Sequence, residues 1–311
     1  MKEHCKQLYQ QYCLEMDDMK IEEVMSKDLI VGYLPGTVEE ALRILAEHNV
    51  SGVPILKKNT KKLVGVVTRE DIFKNPEEGQ LAMVVNDDFV SISKDADIQE
   101  AAKLFYTKKI HGIPVVDNQK NLVGIISPQE LLQVLIKEKK AELVRDHVSN
   151  LVVPVYLETP INIIMEIINI TRETALPILD DSKKVVGIVT DGDIFKLSEI
   201  KEEIKQSNIG IGDDEDQWTW EGIRDTVRLY HSTSEVSLPK IPVKEIMISD
   251  VITASRTTPV CDIARLMIKH SFGNVPIVNE QNQLKGMISD IDLMKCIYES
   301  VSYTHLRAHE T

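Results

Sequence analysis

One short pattern occurs four times in this chain and constrains its fold more than any other feature. Each copy has an apolar residue followed by Pro and two apolar residues, then a polar turn and a second apolar run. That second run contains a Gly and ends at Ser or Thr, with an acid three positions after the hydroxyl. Such regularity indicates an architecture built from copies of one supersecondary unit. The copies contain Pro54 with Gly65, Pro114 with Gly124, Pro177 with Gly187, and Pro276 with Gly286.

Each copy predicts a β-α-β-β-α unit, which together give an α/β (α+β) fold. The Pro run and the Gly run form a hairpin, with Pro at a strand start or edge because Pro donates no backbone hydrogen bond. First strands are predicted at 29–31, 89–92, 151–153 and 251–252. Start signals for the first helices are the capping boxes Thr37/Glu40 and Asp97/Glu100, and the pairs Thr159-Pro160 and Thr258-Pro259 with Pro at the first helical position.

A single unit of this kind leaves sheet and helix faces exposed, so the copies are expected to pair. The predicted segments are an N-terminal helical extension (1–19), repeats 1 to 4 (20–78, 79–138, 139–197 and 242–300), an acidic insertion (198–241) and a tail that resembles non-native sequence (301–311). The insertion contains both tryptophans, and a short helix from Trp218 to Tyr230 is predicted there. Two interpretations of the insertion remain: a linker fixed by its aromatic residues, which we favour, or a docking element for a partner.

Charge and hydropathy exclude several classes of protein. The formal net charge of −13 at pH 7 opposes binding to nucleic acid or to an anionic membrane. No apolar run is long enough to span a membrane, and the N-terminus lacks the apolar stretch of a signal peptide, so a cytoplasmic protein is expected. The four cysteines form no Cys-x-x-Cys pair; we expect reduced thiols and no metal site.

The four copies resemble the cystathionine-β-synthase (CBS) domain family. The resemblance rests on the apolar-Pro entry, the Gly-apolar-apolar-Ser/Thr-x-x-Asp motif, and the lead-in segments 20–25 and 243–247, and it covers roughly residues 20–300. It implies that repeats 1 and 2, and repeats 3 and 4, form two Bateman modules. It also implies a disc-like, pseudo-symmetric assembly resembling archaeal four-copy proteins and the AMP-activated protein kinase γ subunit. Ligands with an adenosine group are expected in clefts between paired repeats.

The resemblance assigns ligand contacts to the motif residues. In the family the hydroxyl approaches phosphate or ribose, and the Asp accepts hydrogen bonds from the ribose hydroxyls. The matching residues are Thr68, Asp71, Ser127, Thr190, Asp193, Ser289 and Asp292. Repeat 2 departs from the pattern because it has Glu130 in place of Asp, so at most three well-formed sites are expected. The alternative for every copy is a helix-capping box, which needs no ligand.

Positive charge for a phosphate is distributed unevenly among the repeats. Arg69 in repeat 1, and Lys109 and His111 in repeat 2, are the candidate phosphate contacts, against the alternative of surface cations and an ordinary histidine. The first module is therefore the better candidate for a charged nucleotide. Repeats 3 and 4 suit a less anionic adenosyl ligand such as S-adenosylmethionine, or remain vacant.

The sequence favours a regulatory protein over an enzyme. Phosphate-loop, dinucleotide-binding, metalloprotease and nucleophile-elbow motifs are absent from the sequence, and the motif acids have no adjacent base to activate a nucleophile. The expected function is a sensor of AMP, ADP, ATP or S-adenosylmethionine that needs no cofactor and acts on an unidentified protein, with a homodimer as a further possibility. The alternative is a structural interaction scaffold whose sites are degenerate.

Overall fold

The computed structural model describes residues 19–299, except for residues 76, 138–141, 150, 198 and 209–227. The predicted N-terminal helix, apart from Met19, and the predicted tail lie outside the described residues. Within them, the four repeats have one plan: a small sheet whose hairpin follows the first helix, and a second helix that begins at the motif hydroxyl. The predicted α/β fold with four β-α-β-β-α repeats is confirmed.

Repeats 1 and 2 account for the first six strands. Repeat 1 contains β1 (Gly32–Leu34), α2 (Val38–Glu47), β2 (Gly52–Lys57), β3 (Leu63–Thr68) and α3 (Arg69–Lys74), and it is preceded by α1 (Ile21–Val24). Repeat 2 contains β4 (Ile92–Ser93), α5 (Ile98–Lys108), β5 (Ile113–Val116), β6 (Leu122–Ile126) and α6 (Pro128–Lys137), and it is preceded by α4 (Leu81–Val84).

Repeats 3 and 4 follow the same order. Repeat 3 contains β7 (Val155–Tyr156), α7 (Ile161–Thr171), β8 (Ala175–Leu179), β9 (Val185–Thr190) and α8 (Asp191–Phe195), after the 3₁₀ helix Val144–Asp146. The insertion contributes β10 (Glu199–Asn208) and β11 (Arg228–Ser237). Repeat 4 contains α9 (Val260–His270), β12 (Asn274–Val278), β13 (Leu284–Ser289) and α10 (Asp290–Tyr298), after the 3₁₀ helix Val243–Glu245. Its first strand is reduced to the single bridge Ala254–Ile277.

The helix starts agree with the sequence in part. Thr37 caps α2 as predicted, with Glu40 N–H donating to Thr37 Oγ1 and Thr37 N–H donating to Glu40 Oε2, both at 3.2 Å. The capping box predicted at Asp97 is wrong, because the Asp97 carboxylate accepts from Lys20 Nζ at 2.6 Å and makes no cap bond. Pro160 and Pro259 are the N-cap residues of α7 and α9, so these helices begin one residue later than predicted.

The motif Pro lies at a local sheet edge, as the missing N–H requires. In repeat 1 the strand order is β1-β2-β3, which makes β2 the central strand. Parallel pairing of β1 with β2 begins at Ile55, one residue after Pro54, so Pro54 has a strand partner only on the β3 side. The same offset recurs at the other three copies, whose parallel partners begin at Val115, Ile178 and Ile277.

Each repeat opens with a short helical lead-in, which packs on the other repeat of its module. The lead-ins are α1, α4 and the 3₁₀ helices Val144–Asp146 and Val243–Glu245. Ile21, at the start of α1, is fully buried in the core of repeat 2, and its N–H donates to Ala96 O at 2.9 Å. In return Leu81 of α4 lies in the core of repeat 1. Val144 likewise packs into the core of repeat 4, and Val243 into that of repeat 3. The exchange of lead-ins confirms the predicted pairing of repeats 1 with 2 and of repeats 3 with 4. Single strand bridges join the same pairs, Lys62 with Asn121 and Lys184 with Gln283.

The two modules contact each other differently on their two sides. Repeats 2 and 4 share one continuous core, to which α5, α6, α9 and α10 all contribute. Repeats 1 and 3 keep separate cores that touch through Phe73 and Phe195, whose rings meet edge to face at 5.4 Å between centroids. The four repeats thereby surround a common centre.

The insertion is a hairpin where it is described. Strands β10 and β11 pair antiparallel, from Glu199 with Ser237 to Asn208 with Arg228. The helix predicted from Trp218 to Tyr230 is wrong over Arg228–Tyr230, which lie in β11, and its remainder lies outside the described residues. None of the helices in the described part of the chain combines the length and hydropathy that crossing a bilayer requires.

Candidate functional site

A cavity of about 1060 Å³ lies where the four repeats meet, and it is the candidate binding site. Every repeat contributes structurally equivalent residues to its wall. One such set is the left-handed residue at the end of the first helix, with φ between 51° and 58°, which is the C-cap in repeats 2 to 4 and the residue after the C-cap in repeat 1. These residues are Asn49, Lys109, Arg172 and Ser271, and all four line the cavity.

In each repeat the motif acid caps its own second helix. Asp71 Oδ2 accepts from the backbone N–H of Thr68 at 2.8 Å and from its hydroxyl at 2.6 Å, while Asp71 N–H donates back to Thr68 Oγ1 at 3.2 Å. Asp193 makes the same bonds with Thr190, and Asp292 with Ser289. The capping interpretation of the motif therefore holds in these three repeats.

Glu130 has the same local role as the three Asp residues. Its Oε2 accepts from the backbone N–H of Ser127 at 2.8 Å and also from the Ser127 hydroxyl. The predicted contrast between three ligand-type copies and one capping copy is therefore not visible in the local hydrogen bonds. Each cap uses one carboxylate oxygen, so the second oxygen of each acid is not committed to the cap.

The motif residues differ in their access to the cavity. Thr68, Asp71, Ser127, Glu130, Thr190 and Asp193 all line it. Asp292 is not a lining residue, but its Oδ1 lies 3.5 Å from Nζ of Lys109, which does line the cavity. The assignment of these residues to ribose or phosphate stays a prediction.

Arg69 lies at the contact between repeats 1 and 3. Its side chain is buried, its Nη1 lies 3.3 Å from Asp191 Oδ2, and its guanidinium carbon lies 5.5 Å from the centre of the Phe195 ring. A Cβ at position 192 would lie 2.7 Å from Arg69 Nη1, so Gly192 makes room for the guanidinium. The sequence predicts Arg69 as a phosphate contact, but its guanidinium is already paired with Asp191 across the interface.

The other predicted cations lie among acids. Lys109 Nζ is near Asp292 and 4.8 Å from the centre of the Tyr106 ring. His111 lines the cavity and interacts electrostatically with Asp290. Burial raises the pKa of the Asp290 carboxyl, and the charge of His111 acts in the opposite direction.

Glu173 adds to this acidic neighbourhood. Burial raises the pKa of Glu173, and the negative charge of Asp292 raises it further, while Lys109 lowers it. Over the whole wall, ten Asp or Glu residues face four Lys or Arg residues. The cavity therefore presents an excess of negative charge. Two of the four cations, Arg69 and Lys109, also lie in ion pairs with carboxylates.

Two features of the wall were not recognised in the sequence as parts of a site. Ile30, Val90 and Val251, used to predict first strands, line the cavity instead, because those strands begin further along the chain. Buried polar atoms also lie at the wall: among the described residues, Arg69 Nε and Asn169 Oδ1 have no hydrogen-bond partner. A short apolar run was the only signal for the first set, and such a run does not distinguish a strand from a cavity wall.

The family model for the CBS domain matches residues 21–78, 81–137, 144–199 and 243–299. The chain belongs to the CBS domain family. Protein MJ1225 of Methanocaldococcus jannaschii is 24% identical in an alignment of 302 residues that covers 89% of this chain and 97% of that protein. Its crystal structure, that of a proposed archaeal homologue of γ-AMPK, aligns with a TM-score of 0.71 at 20% identity and covers 89% of this chain and 99% of that chain.

Other members share shorter stretches. The inosine-5′-monophosphate dehydrogenase of the same organism is 30% identical over 135 residues, which are 43% of this chain but 26% of that enzyme. The CBS domain pair of protein MJ0100 was solved with 5′-methylthioadenosine and S-adenosyl-L-methionine (22% identity, TM-score 0.33, covering 55% of this chain and 100% of that one). CBSX2 was solved with AMP (22% identity, TM-score 0.35, covering 39% and 98%).

Proposed function

We propose that this protein is a non-catalytic regulator that binds an adenosine-containing ligand in its central cavity. The observation that carries the proposal is the cavity itself, to which all four CBS repeats contribute equivalent residues. Its apolar residues Ile30, Val90 and Val251 suit a purine ring. The motif acids Asp71 and Asp193 each retain a second carboxylate oxygen, an acceptor suited to a ribose hydroxyl.

The charge of the wall selects among adenosyl ligands. Like charges confined in a partly desolvated cavity repel more strongly than in bulk water. An excess of carboxylates therefore opposes the triphosphate of ATP and favours S-adenosylmethionine, whose sulfonium is positive. Within the set AMP, ADP, ATP and S-adenosylmethionine, we expect affinity to fall as the negative charge of the ligand increases.

The ligand acts by changing how the repeats pack. It contacts groups on several repeats at once, so it favours the arrangement that it binds more tightly. The contact of Arg69 and Phe73 with Asp191 and Phe195 is the smaller of the two contacts between modules and adjoins the cavity. We infer that ligand binding changes this contact and that a partner protein responds to the change.

Titration of the full chain with each ligand tests the proposal. A ligand present at 100 times its dissociation constant raises the free energy of unfolding by about 2.7 kcal/mol. We expect melting shifts and calorimetric heats that are largest for S-adenosylmethionine, smaller for AMP and smallest for ATP. A stronger response to ATP would contradict the charge argument and leave the binding function intact.

Asp71→Ala and Glu130→Ala form a matched pair for the site. Both remove the acid of a capping box, so both should lower the free energy of unfolding by about 1 kcal/mol. Only Asp71→Ala should weaken ligand binding, by about tenfold or more, since a hydrogen bond to a charged acceptor contributes roughly 1.5–3 kcal/mol. No weakening by either variant would assign both acids to the caps alone, and equal weakening would contradict the predicted difference between Asp71 and Glu130.

The alternative function is a structural scaffold of CBS repeats with unliganded sites. It is favoured by the engagement of all four motif acids in helix caps. Absence of a melting shift and of heat with each of the four ligands would contradict the sensor and favour the scaffold.

A further inference from the structure

Three potential metal ligands of different chemistry meet outside the central cavity. Glu142, His147 and Cys296 each offer one donor atom, and the three atoms lie within 4.8 Å of one another. His147 Nε2 is 2.7 Å from Glu142 Oε2 and 3.5 Å from Cys296 Sγ. None of these residues lines the cavity, so the cluster is separate from the proposed adenosyl site.

The backbone fixes the positions of Glu142 and His147. They flank the 3₁₀ helix Val144–Asp146, which packs on repeat 4. Val260 N–H donates to Glu142 O at 2.9 Å, and Val144 N–H donates to Thr258 O at 2.9 Å. The cluster is therefore supported by regular structure.

Burial and access suit a bound ion. Cys296 on α10 is 3% exposed, and the His147 side chain is 8% exposed, so a bound ion would be largely shielded from water. The Glu142 side chain is 40% exposed, which leaves a path from solvent to the cluster. A shielded set of donors with an entry path is what a metal site requires.

Tetrahedral coordination requires movement of the His147 and Glu142 side chains. With Zn–S near 2.3 Å and Zn–N near 2.05 Å, tetrahedral angles place sulfur and nitrogen about 3.5 Å apart. Cys296 Sγ lies 3.5 Å from His147 Nε2 but also 3.6 Å from Nδ1, so the sulfur lies over the face of the ring, and the imidazole has to rotate before Nε2 points at an ion shared with Cys296. The nitrogen and oxygen ligands would be about 3.3 Å apart, so the 2.7 Å contact between His147 and Glu142 has to open by about 0.6 Å. The exposed Glu142 side chain can make that movement.

We propose that Glu142, His147 and Cys296 form a binding site for a divalent transition metal ion of the zinc class, with the fourth position left to water. Thiolate, imidazole and carboxylate are all zinc ligands, and thiolate disfavours Mg²⁺ and Ca²⁺. The ion joins the segment around the lead-in of repeat 3 to the last helix of repeat 4. Because the ligands are brought together only by folding, metal binding stabilises this packing.

The test uses Co²⁺ as a spectroscopic substitute for Zn²⁺ in the metal-free full chain, after treatment with a chelator. Cys5 and Cys13, which lie outside the described residues, are first replaced by Ser to remove their thiols. We expect a thiolate-to-cobalt charge-transfer band, visible bands of tetrahedral Co²⁺, loss of both on addition of one equivalent of Zn²⁺, and a higher melting temperature with Zn²⁺.

Cys296→Ser and Cys261→Ala separate the proposed ligand from a neighbouring thiol. Changes to groups that only orient metal ligands cost about 10–100-fold in affinity, so loss of a direct ligand should cost about 100-fold or more. We therefore expect Cys296→Ser and His147→Ala to lose the charge-transfer band or weaken binding by that factor. Cys261→Ala, which removes a buried thiol on the adjacent helix α9, should bind as tightly as the parent protein.

Three results would overturn the proposal. They are no thiolate band in the parent protein, an unchanged band in Cys296→Ser, or loss of the band in a folded Cys261→Ala. Each would leave Glu142 and His147 as an ordinary hydrogen-bonded pair beside a buried thiol. Circular dichroism of each variant establishes that it is folded, and His147→Ala supplies the answer if Cys296→Ser does not fold.

Discussion

The motif glycines leave space for the exchanged lead-ins. A Cβ at Gly65 would overlap Val85 and lie 2.7 Å from the backbone oxygen of Asn86. At Gly187 the obstructing group is instead the side chain of Met247, and at Gly124 it is the side chain of Met25 together with the backbone oxygen of Ser26 at 3.1 Å. Close packing within a module therefore explains why each motif has a glycine three residues before its Ser or Thr.

Alanine at these glycines should destabilise the fold according to what obstructs the Cβ. Gly65→Ala forces a backbone shift and should cost about 1–3 kcal/mol or more, while Gly187→Ala should cost less because methionine adapts its rotamer. Gly79→Ala, with nothing within 4 Å, is the control. Urea unfolding measures the three free energies; a larger loss for Gly187→Ala than for Gly65→Ala would contradict this explanation.

At the scale of elements, each module is held together by exchange of its short lead-in helices. Helix α4 of only four residues carries Leu81, 1% exposed, into the core of repeat 1, although it belongs to repeat 2 in the chain. Helices this short have little intrinsic stability, so the exchanged contacts hold them in place. The core of a CBS repeat is thus completed by a residue from the other repeat of its module.

Leu81→Ala should destabilise repeat 1 more than repeat 2. Loss of a buried leucine costs about 2–5 kcal/mol, and here the cavity opens in the core beneath β2 and β3. Hydrogen exchange should accelerate more in β2 and β3 than in β5 and β6. Met83→Ala, at a position 69% exposed in the same helix, should change neither. Faster hydrogen exchange confined to β5 and β6 would contradict the packing of Leu81 in the core of repeat 1.

At the scale of the whole molecule, the two contacts between modules are unequal. Repeats 2 and 4 share one core, whereas repeats 1 and 3 meet through Phe73, Phe195 and the ion pair of Arg69 with Asp191. Regions with fewer buried apolar contacts open at lower free energy. The contact between repeats 1 and 3 is therefore expected to open first.

Phe195→Ala should loosen that contact selectively. Removal of a buried phenylalanine costs about 3–5 kcal/mol, and Phe195 contributes to the core of repeat 1 from a position in repeat 3. Hydrogen exchange should increase in repeats 1 and 3 while α5, α6, α9 and α10 stay protected. Ile170→Ala, 73% exposed on α7, is the control. Uniform acceleration over all four repeats would show that the molecule opens as one unit.

The sequence by itself determined the repeat and its local structure. The signals that predicted it act over a few neighbouring residues, so the local structure can be predicted from the sequence. They are hydrophobic periodicity, capping residues such as Thr37, and the Ser/Thr-x-x-Asp pairs. The family resemblance extended this to the pairing of the repeats. The same local signals misplaced the first strands, because those strands begin where a parallel partner is available.

Only the tertiary structure decided what the repeated residues do together. It placed Arg69 beside Asp191, 122 residues away, and Cys296 beside His147, 149 residues away. It also gathered ten carboxylates around one cavity. Contacts at such separations depend on how whole repeats pack, and no local pattern encodes them. The sequence thus determined the unit and its caps, while packing of the units decided the cavity, its charge and the metal-ligand cluster.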